Sequence, residues 1–96
     1  MKVTLIVHGV VQGVGYRNLV RDVARRRNVT GHVRNLRDGS VEVVAVGDSD
    51  TLALFEKEIA VSYQHGPQVM HIERAEQDAG DGEGYDGFRI ERSSDE

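Results

Sequence analysis

Two hydrophobic periods alternate along this chain, and their order constrains its fold more than any other feature. Apolar residues recur at every second position in some segments and at every third or fourth position in others. Five segments are predicted to be strands: residues 2–8, 29–36, 40–46, 69–75 and 85–92. Two segments, residues 17–27 and 51–63, are predicted to be amphipathic helices. The order is therefore strand, helix, strand, strand, helix, strand and a short final strand.

This order predicts an α+β ferredoxin-like sandwich, in which two helices cover one face of a mainly antiparallel sheet. Asp38-Gly39 is typical of a hairpin turn, and Asn28 is expected to end the first helix. One domain is expected over residues 1–92, with residues 93–96 as a frayed tail. The residues predicted to share one core are Val7, Val20, Val23, Val41, Val43, Phe55 and Ile59.

The remaining boundaries follow from local chemistry. Residues 47–50 read Gly-Asp-Ser-Asp, which breaks a strand and offers N-cap side chains to the second helix. The sequence His-Gly-Pro at 65–67 is expected to end that helix. Residues 78–84 are rich in Gly and Asp and are predicted to be a loop.

Composition excludes several kinds of site. The chain of 96 residues has no cysteine, so it has neither a disulfide nor a thiol nucleophile. Its four histidines are scattered, and no metal site is expected. No apolar run approaches the length of a membrane span, and the run after Met1 is too short for a secretory signal. A cytoplasmic protein is the expectation.

The charge is unevenly distributed along the chain. The net charge of −4 is the sum of +5 over residues 1–47, −3 over residues 48–72 and −6 over residues 73–96. An acidic total argues against a general nucleic-acid binder. The cationic first half can still attract a small anion.

The first strand-to-helix junction, VVQGVGYRN at residues 10–18, contains two flexible glycines, Gly13 and Gly15, and a permanently charged arginine, Arg17. A nucleotide P-loop would end in Gly-Lys-Ser/Thr, and a dinucleotide fingerprint would need a third glycine where Asn18 stands. The amides of residues 13–17 nevertheless lie where a helix N-terminus favours an anion, and Arg17 adds a planar fork of donors. The alternative is that the glycines only let the chain turn and that Arg17 is a surface residue. The pattern alone leaves these two interpretations about equal.

Two motifs in register resemble those of the acylphosphatase family. The first is VHGVVQGVGYR, residues 7–17, and the second begins GHVRN at residues 31–35 and continues through Gly39-Ser40-Val41 to Gly47. The resemblance covers nearly the whole domain and includes the order of strands and helices. Tyr16 stands where the family usually has Phe, and His32 where it usually has another aromatic residue.

The resemblance implies a metal-independent hydrolase without a cofactor, which cleaves acyl phosphates to carboxylate and phosphate. Phosphate binding is assigned to Gly13, Val14, Gly15, Tyr16 and Arg17, and catalysis to Arg17 and Asn35. A carboxylate leaves without a strong general acid, so positioning and charge stabilisation suffice. Asn35 would orient the attacking water, and the substrate's own phosphate would accept the proton. The role of His32 stays open, and it would be tested next only if Asn35 proved to hold the substrate rather than the water. Taken alone, Asn35 would read as a hairpin-entry residue.

Two rival functions stay open. The same fold and anion loop could form a non-catalytic anion- or carbamoyl-phosphate-binding module, as acylphosphatase-like domains do in hydrogenase-maturation proteins; the length of 96 residues favours the free enzyme. An RNA-binding sheet would need aromatic residues in the third strand, SVEVVAV, which has none. The expected partner is a small acyl phosphate, with no nucleic acid and no membrane, and the protein is expected to be a monomer.

Overall fold

The computed structural model describes residues 1–78 and 85–93 and has the predicted order of elements. The strands are β1 (Lys2–Val10), β2 (Thr30–Asn35), β3 (Val41–Val46), β4 (Gln68–Gln77) and β5 (Phe88–Ile90). The helices are α1 (Tyr16–Arg26), between β1 and β2, and α2 (Ser49–Ile59), between β3 and β4. Both crossovers therefore leave the sheet and return to it through a helix.

The described strands form one sheet in the order β4-β1-β3-β2-β5. Each neighbouring pair is antiparallel except β2 and β5, which are parallel. The buried residues of both helices belong to one cluster with the inward residues of the strands, so the helices cover a single sheet face. This arrangement confirms the predicted sandwich.

The predicted core is confirmed in full. The seven residues named from their spacing are all buried, and Phe88 joins them from β5. Across β1 and β3, Val7 pairs with Val41 and Leu5 with Val43, and all four are buried on the helix-covered face. Alternation within each strand was therefore sufficient to identify the buried face.

Helix α1 ends as its sequence predicts. Asn28 has a left-handed backbone conformation with φ 57°. The N–H of Val29 donates to the carbonyl of Ala24 at 2.8 Å, and that of Asn28 to Arg25 at 3.3 Å. These two bonds form the Schellman pattern that satisfies the last carbonyls of a helix.

Helix α2 is shorter than predicted. It ends at Ile59, whereas the apolar spacing extended the prediction to Tyr63. The residues that follow pair with the start of β4 instead: Ser62 bridges Gln68, and the N–H of Val69 donates to the carbonyl of Val61 at 2.8 Å. This non-local pairing satisfies the backbone groups that a longer helix would have used, so His65-Gly66-Pro67 turns the chain after the helix has already ended.

The other boundaries differ by a few residues. Strands β1 and β4 are longer than predicted, and a register shift between His8 and Gly9 lets them stay paired. Strand β5 is shorter than the predicted 85–92. The predicted loop at 78–84 and tail at 93–96 fall largely outside the described residues. No helix in the described ranges is long and apolar enough to cross a membrane.

Candidate functional site

The loop between β1 and α1 has a backbone conformation that its glycines make possible. Gly13 and Gly15 have φ angles of 76° and 79°, in the left-handed region that other residues rarely adopt. A Cβ added at either position would meet no atom within 4 Å. Conformation rather than space therefore favours glycine at both positions.

The N-terminus of α1 has backbone donors without protein acceptors. Gly15 precedes the helix and provides no side-chain cap, and the first helical bond runs from the N–H of Leu19 to the carbonyl of Gly15 at 3.2 Å. Within the described residues, the N–H groups of residues 13–18 donate to no protein group. Such a helix start favours an anion through both its donors and its dipole.

Arg17 lies at the same place as these donors. A pocket of about 200 Å³ is lined by Val11, Gly13, Gly15, Tyr16, Arg17, Asn18 and Ile90. Arg17 is half-buried and makes no hydrogen bond or ion pair with any described residue. Arg26 and Arg92 also make no hydrogen bond or ion pair in the described ranges, but both are exposed to solvent. Arg17 thus combines partial burial with an unused guanidinium, an arrangement that an anion would complete.

Only the backbone of Tyr16 can contribute to this pocket. Its side chain is 1% exposed, and its hydroxyl donates to the carbonyl of Ile59 at 2.8 Å. That carbonyl belongs to the last turn of α2, where no intrahelical donor is available. Burial raises the pKa of the Tyr16 phenol above its usual range. The hydroxyl that distinguishes Tyr16 from the usual Phe therefore ties the start of α1 to the end of α2.

Asn35 lies at the end of β2, on the helix-covered face. It is two residues beyond Val33, which is buried, and successive side chains in a strand alternate between faces. The Oδ1 atom of Asn35 is buried and has no hydrogen-bond partner among the described residues. An unsatisfied buried acceptor costs roughly 1–3 kcal/mol, so this oxygen is suited to accept a hydrogen bond from a bound water or ligand.

Asn35 and Val14 are not among the residues that line the Arg17 pocket. Two connections nevertheless place Asn35 near it. Val33 pairs with Ile90, a lining residue, across β2 and β5. In addition, the amide nitrogen of Gln12, the residue before Gly13, donates to the carbonyls of Leu36 and Ser40, both at 2.8 Å, and Leu36 directly follows Asn35. The structure therefore brings the glycine loop and the end of β2 to the same edge of the sandwich.

His32 lies on the other face of the sheet. It precedes Val33 and lines a separate cavity of about 660 Å³ on the uncovered face, together with Glu42 and Tyr85. Its Nε2 atom is 3.3 Å from a carboxylate oxygen of Glu42, and its ring centroid is 5.7 Å from that of Tyr85. Because successive side chains of β2 alternate between faces, His32, whose role the sequence left open, points away from the side chain of Asn35.

The other histidines lie on the surface. The rings of His8 and His71 are stacked with centroids 5.7 Å apart on the uncovered face, and Nε2 of His8 is 2.6 Å from the carboxylate of Glu73. His65 is exposed. Residues 1–78 and 85–93 contain no group of three or more His, Asp or Glu arranged to hold a metal ion.

Sequence reasoning missed two residues at this site. Ile90 contributes apolar surface to the Arg17 pocket from β5, more than seventy positions from the loop, and no local pattern marks it. Gln12 lies inside the first motif but was given no role, because its partners are 24 and 28 residues away. Its position directly before Gly13 was the one available signal.

Comparisons with known proteins agree with the geometry. The sequence model of the acylphosphatase family, described as "Acylphosphatase", matches residues 3–90. An acylphosphatase of Methanospirillum hungatei is 42% identical over 91 residues, which cover 95% of this chain and 97% of the relative. The crystal structure of acylphosphatase from Bacillus subtilis superposes with a TM-score of 0.80 and 34% identity, covering 93% and 96% of the two chains. The crystal structure of HypF from T. kodakarensis matches with a TM-score of 0.76 and 32% identity, covering 99% of this chain and 12% of HypF.

Proposed function

Because the chain belongs to the acylphosphatase family, we propose that it hydrolyses small acyl phosphates to a carboxylate and inorganic phosphate. The observation that carries this proposal is the half-buried, unpartnered Arg17 beside a helix start whose N–H groups have no protein acceptor. Both features favour a compact dianion over a neutral ligand. The cationic first half of the chain, +5 over residues 1–47, favours its approach.

The phosphoryl group binds at the glycine loop. Its oxygens accept hydrogen bonds from the N–H groups of Gly13, Val14, Gly15, Tyr16 and Arg17, and from the guanidinium of Arg17. Phosphoryl transfer spreads charge over the equatorial oxygens of phosphorus, so fixed donors around those oxygens stabilise the transition state. The donors are held in place before substrate binds, because backbone N–H groups do not reorganise as side chains do.

Asn35 orients the water. Its buried Oδ1 accepts a hydrogen bond from the water, which directs a lone pair of the water oxygen towards phosphorus. The new bond joins this oxygen to phosphorus, and the bond between phosphorus and the acyl oxygen breaks. The carboxylate leaves with the electron pair of that bond, and the proton of the water passes to a phosphoryl oxygen. The leaving carboxylate is a weak base and needs no general acid.

A binding module is the second candidate. It is favoured by the match to HypF, in which a chain of this fold accounts for 12% of a longer protein. The same loop and Arg17 would then hold an anion such as carbamoyl phosphate without turning it over. The two candidates share the anion site and differ in whether the water is activated.

The test is phosphate release from a synthetic aryl acyl phosphate, followed with and without inorganic phosphate as a competitor. We expect turnover with competitive inhibition, which Arg17→Gln weakens. Competitive binding without turnover would support the binding module instead. Absence of both would contradict the assignment of the anion site.

A further inference from the structure

We infer that Gln12 is a positioning residue that sets the placement of Asn35 relative to the phosphate-binding loop. This inference rests on the proposed function, since it concerns the alignment of the water with the phosphoryl group. Gln12 precedes Gly13 directly, so its backbone belongs to the loop while its side chain reaches the hairpin between β2 and β3.

The Gln12 amide binds the turn end of that hairpin. One nitrogen, Nε2, donates to the carbonyl of Leu36 and to the carbonyl of Ser40, each at 2.8 Å. The two carbonyls lie together because the N–H of Leu36 donates to the carbonyl of Ser40 at 2.9 Å. Both hydrogens of the side-chain amide are therefore used, and they are used on one turn.

The turn is held by several hydrogen bonds of its own. The bonds from Gln12 therefore fix the position of the whole turn and not only of two carbonyls. The N–H of Gly39 donates to the carbonyl of Leu36 at 3.2 Å, and the carboxylate of Asp38 accepts from the N–H of Ser40 at 3.0 Å. The hydroxyl of Ser40 also donates to Asp38, and this lowers the pKa of the carboxyl group. Because the turn is rigid and is bonded to Gln12 at two carbonyls, the residues at its two ends are fixed in position as well.

Asn35 is one of those end residues. It immediately precedes Leu36 and is paired with Val41 across β2 and β3. Its Oδ1 has no partner among the described residues, so its side chain is oriented by its backbone and packing rather than by a hydrogen bond of its own. Gln12 thus connects the two parts of the site that are far apart in sequence: the donors of residues 13–17 and the amide of Asn35.

Substitution of Gln12 is expected to misalign the water and the phosphoryl group without weakening the binding of phosphate. A shift of about 1 Å between reacting groups can cost around 10²-fold in rate. The phosphate-binding loop keeps its own donors and Arg17 when Gln12 is changed. Gln12→Met, which preserves length and volume but removes both donors, should therefore lower kcat about tenfold or more and change inhibition by phosphate less than threefold.

The experiment is a double-mutant cycle. Turnover of an aryl acyl phosphate and inhibition by inorganic phosphate are measured for the parent, Gln12→Met, Asn35→Ala and the double variant. If Gln12 acts through Asn35, its substitution should lower kcat in the parent and have little effect in the Asn35→Ala background. A structural role alone would lower kcat by the same factor in both backgrounds, and that result would overturn the inference. So would a kcat equal to that of the parent.

A matched control is available at Gln68, which pairs with Val10 across β1 and β4 and makes no hydrogen bond to the turn after β2. Gln68 also donates through Nε2 to a backbone carbonyl, that of Tyr63, at 3.1 Å. Gln68→Met should leave kcat unchanged. If Gln12→Met unfolds at the assay temperature, Gln12→Asn, one methylene shorter, is used in the same cycle. A parent that binds phosphate without turnover would refute the proposed function and this inference together, whereas an active parent with additive variants would refute this inference alone.

Discussion

The two strand-to-helix junctions of this domain occupy equivalent places in the fold but are built in opposite ways. At the junction of β3 and α2, Asp48 caps the helix: one carboxylate oxygen accepts from the N–H of Thr51 at 2.9 Å and the other from its hydroxyl at 3.1 Å. At the junction of β1 and α1, Gly15 stands at the cap position and supplies no side chain. One helix start is satisfied by its own chain, and the other keeps N–H donors without a protein acceptor, which we propose bind the phosphoryl group.

This difference supports the proposal that one junction contributes to stability and the other binds the substrate. A capped helix start has fewer donors to offer, and its carboxylate would repel an anion. An uncapped start with left-handed glycines keeps its donors but gives up the stability that a cap contributes. Part of that loss is offset at α1 by the buried bond from the Tyr16 hydroxyl to the carbonyl of Ile59. Substitutions at the two junctions test this contrast.

Arg17→Lys should lower kcat/KM by about 10³-fold, because an ammonium keeps the charge but loses the planar pair of donors. Steady-state hydrolysis of an aryl acyl phosphate measures the effect. Arg26→Lys is the matched control, since Arg26 lies on the same helix, is exposed and makes no hydrogen bond or ion pair in the described ranges. Near-parent kinetics for Arg17→Lys would exclude Arg17 as the phosphate clamp.

Asn35→Ala should lower kcat by about 10²-fold, comparable to the loss of one preorganised polar contact. KM should change little, because the donors at the α1 junction hold the phosphate. Thermal unfolding must show that the variant stays folded at the assay temperature. A preserved kcat with a raised KM would mean that Asn35 holds the substrate rather than the water.

Gly15→Asp introduces at α1 the kind of residue that caps α2. Both Gly15→Asp and Gly15→Asn place a side chain on a left-handed backbone with room around it, so the two variants differ only in the carboxylate beside the N–H donors. Inhibition by phosphate should weaken about tenfold or more relative to Gly15→Asn, which has the same shape without the charge. Equal inhibition constants for the two variants would show that the anion binds elsewhere.

Asp48→Ala should lower the melting temperature by roughly 4–8 °C, as expected for the loss of a helix cap in a domain of this size. It should leave kcat and KM unchanged, because Asp48 belongs to the junction that binds no substrate. Differential scanning calorimetry and the hydrolysis assay measure the two effects. A change in kinetics without a change in melting would reverse the proposed roles of the junctions.

The smallest expected effect is on the stability of the fold at acid pH. The hydrogen bonds from the backbone N–H and the hydroxyl of Thr51 hold the pKa of the Asp48 carboxyl below its usual range. A carboxyl whose folded pKa is lowered stabilises the fold above its unfolded pKa, and that contribution is lost as pH falls through the folded pKa. Asp48→Asn, which still caps but does not titrate, should therefore lose less stability between neutral and acid pH. Parallel pH dependence of unfolding for the two proteins would contradict the role of the ionised cap.

Local patterns in the sequence predicted most of the fold for a physical reason. The alternation of Val3, Leu5 and Val7 and the spacing of Val20 and Val23 report which face each element buries, whatever its neighbours are. The end of α1 at Asn28 was predictable because asparagine adopts the left-handed conformation readily, whatever its neighbours are. The end of α2 was mispredicted because residues 61–63 pair with β4, a choice that depends on a partner strand.

The sequence by itself determined the order of elements, the buried faces, the family and the placement of Gly13, Gly15 and Arg17 at one helix start, because each of these depends on short-range spacing. Only the tertiary structure decided that the Tyr16 side chain turns inward, that His32 and Asn35 face opposite sides of the sheet, and that Gln12 reaches the turn after β2. These contacts join residues 24 to 43 positions apart. Their partners are chosen by how strands and helices pack, and no local period carries that information.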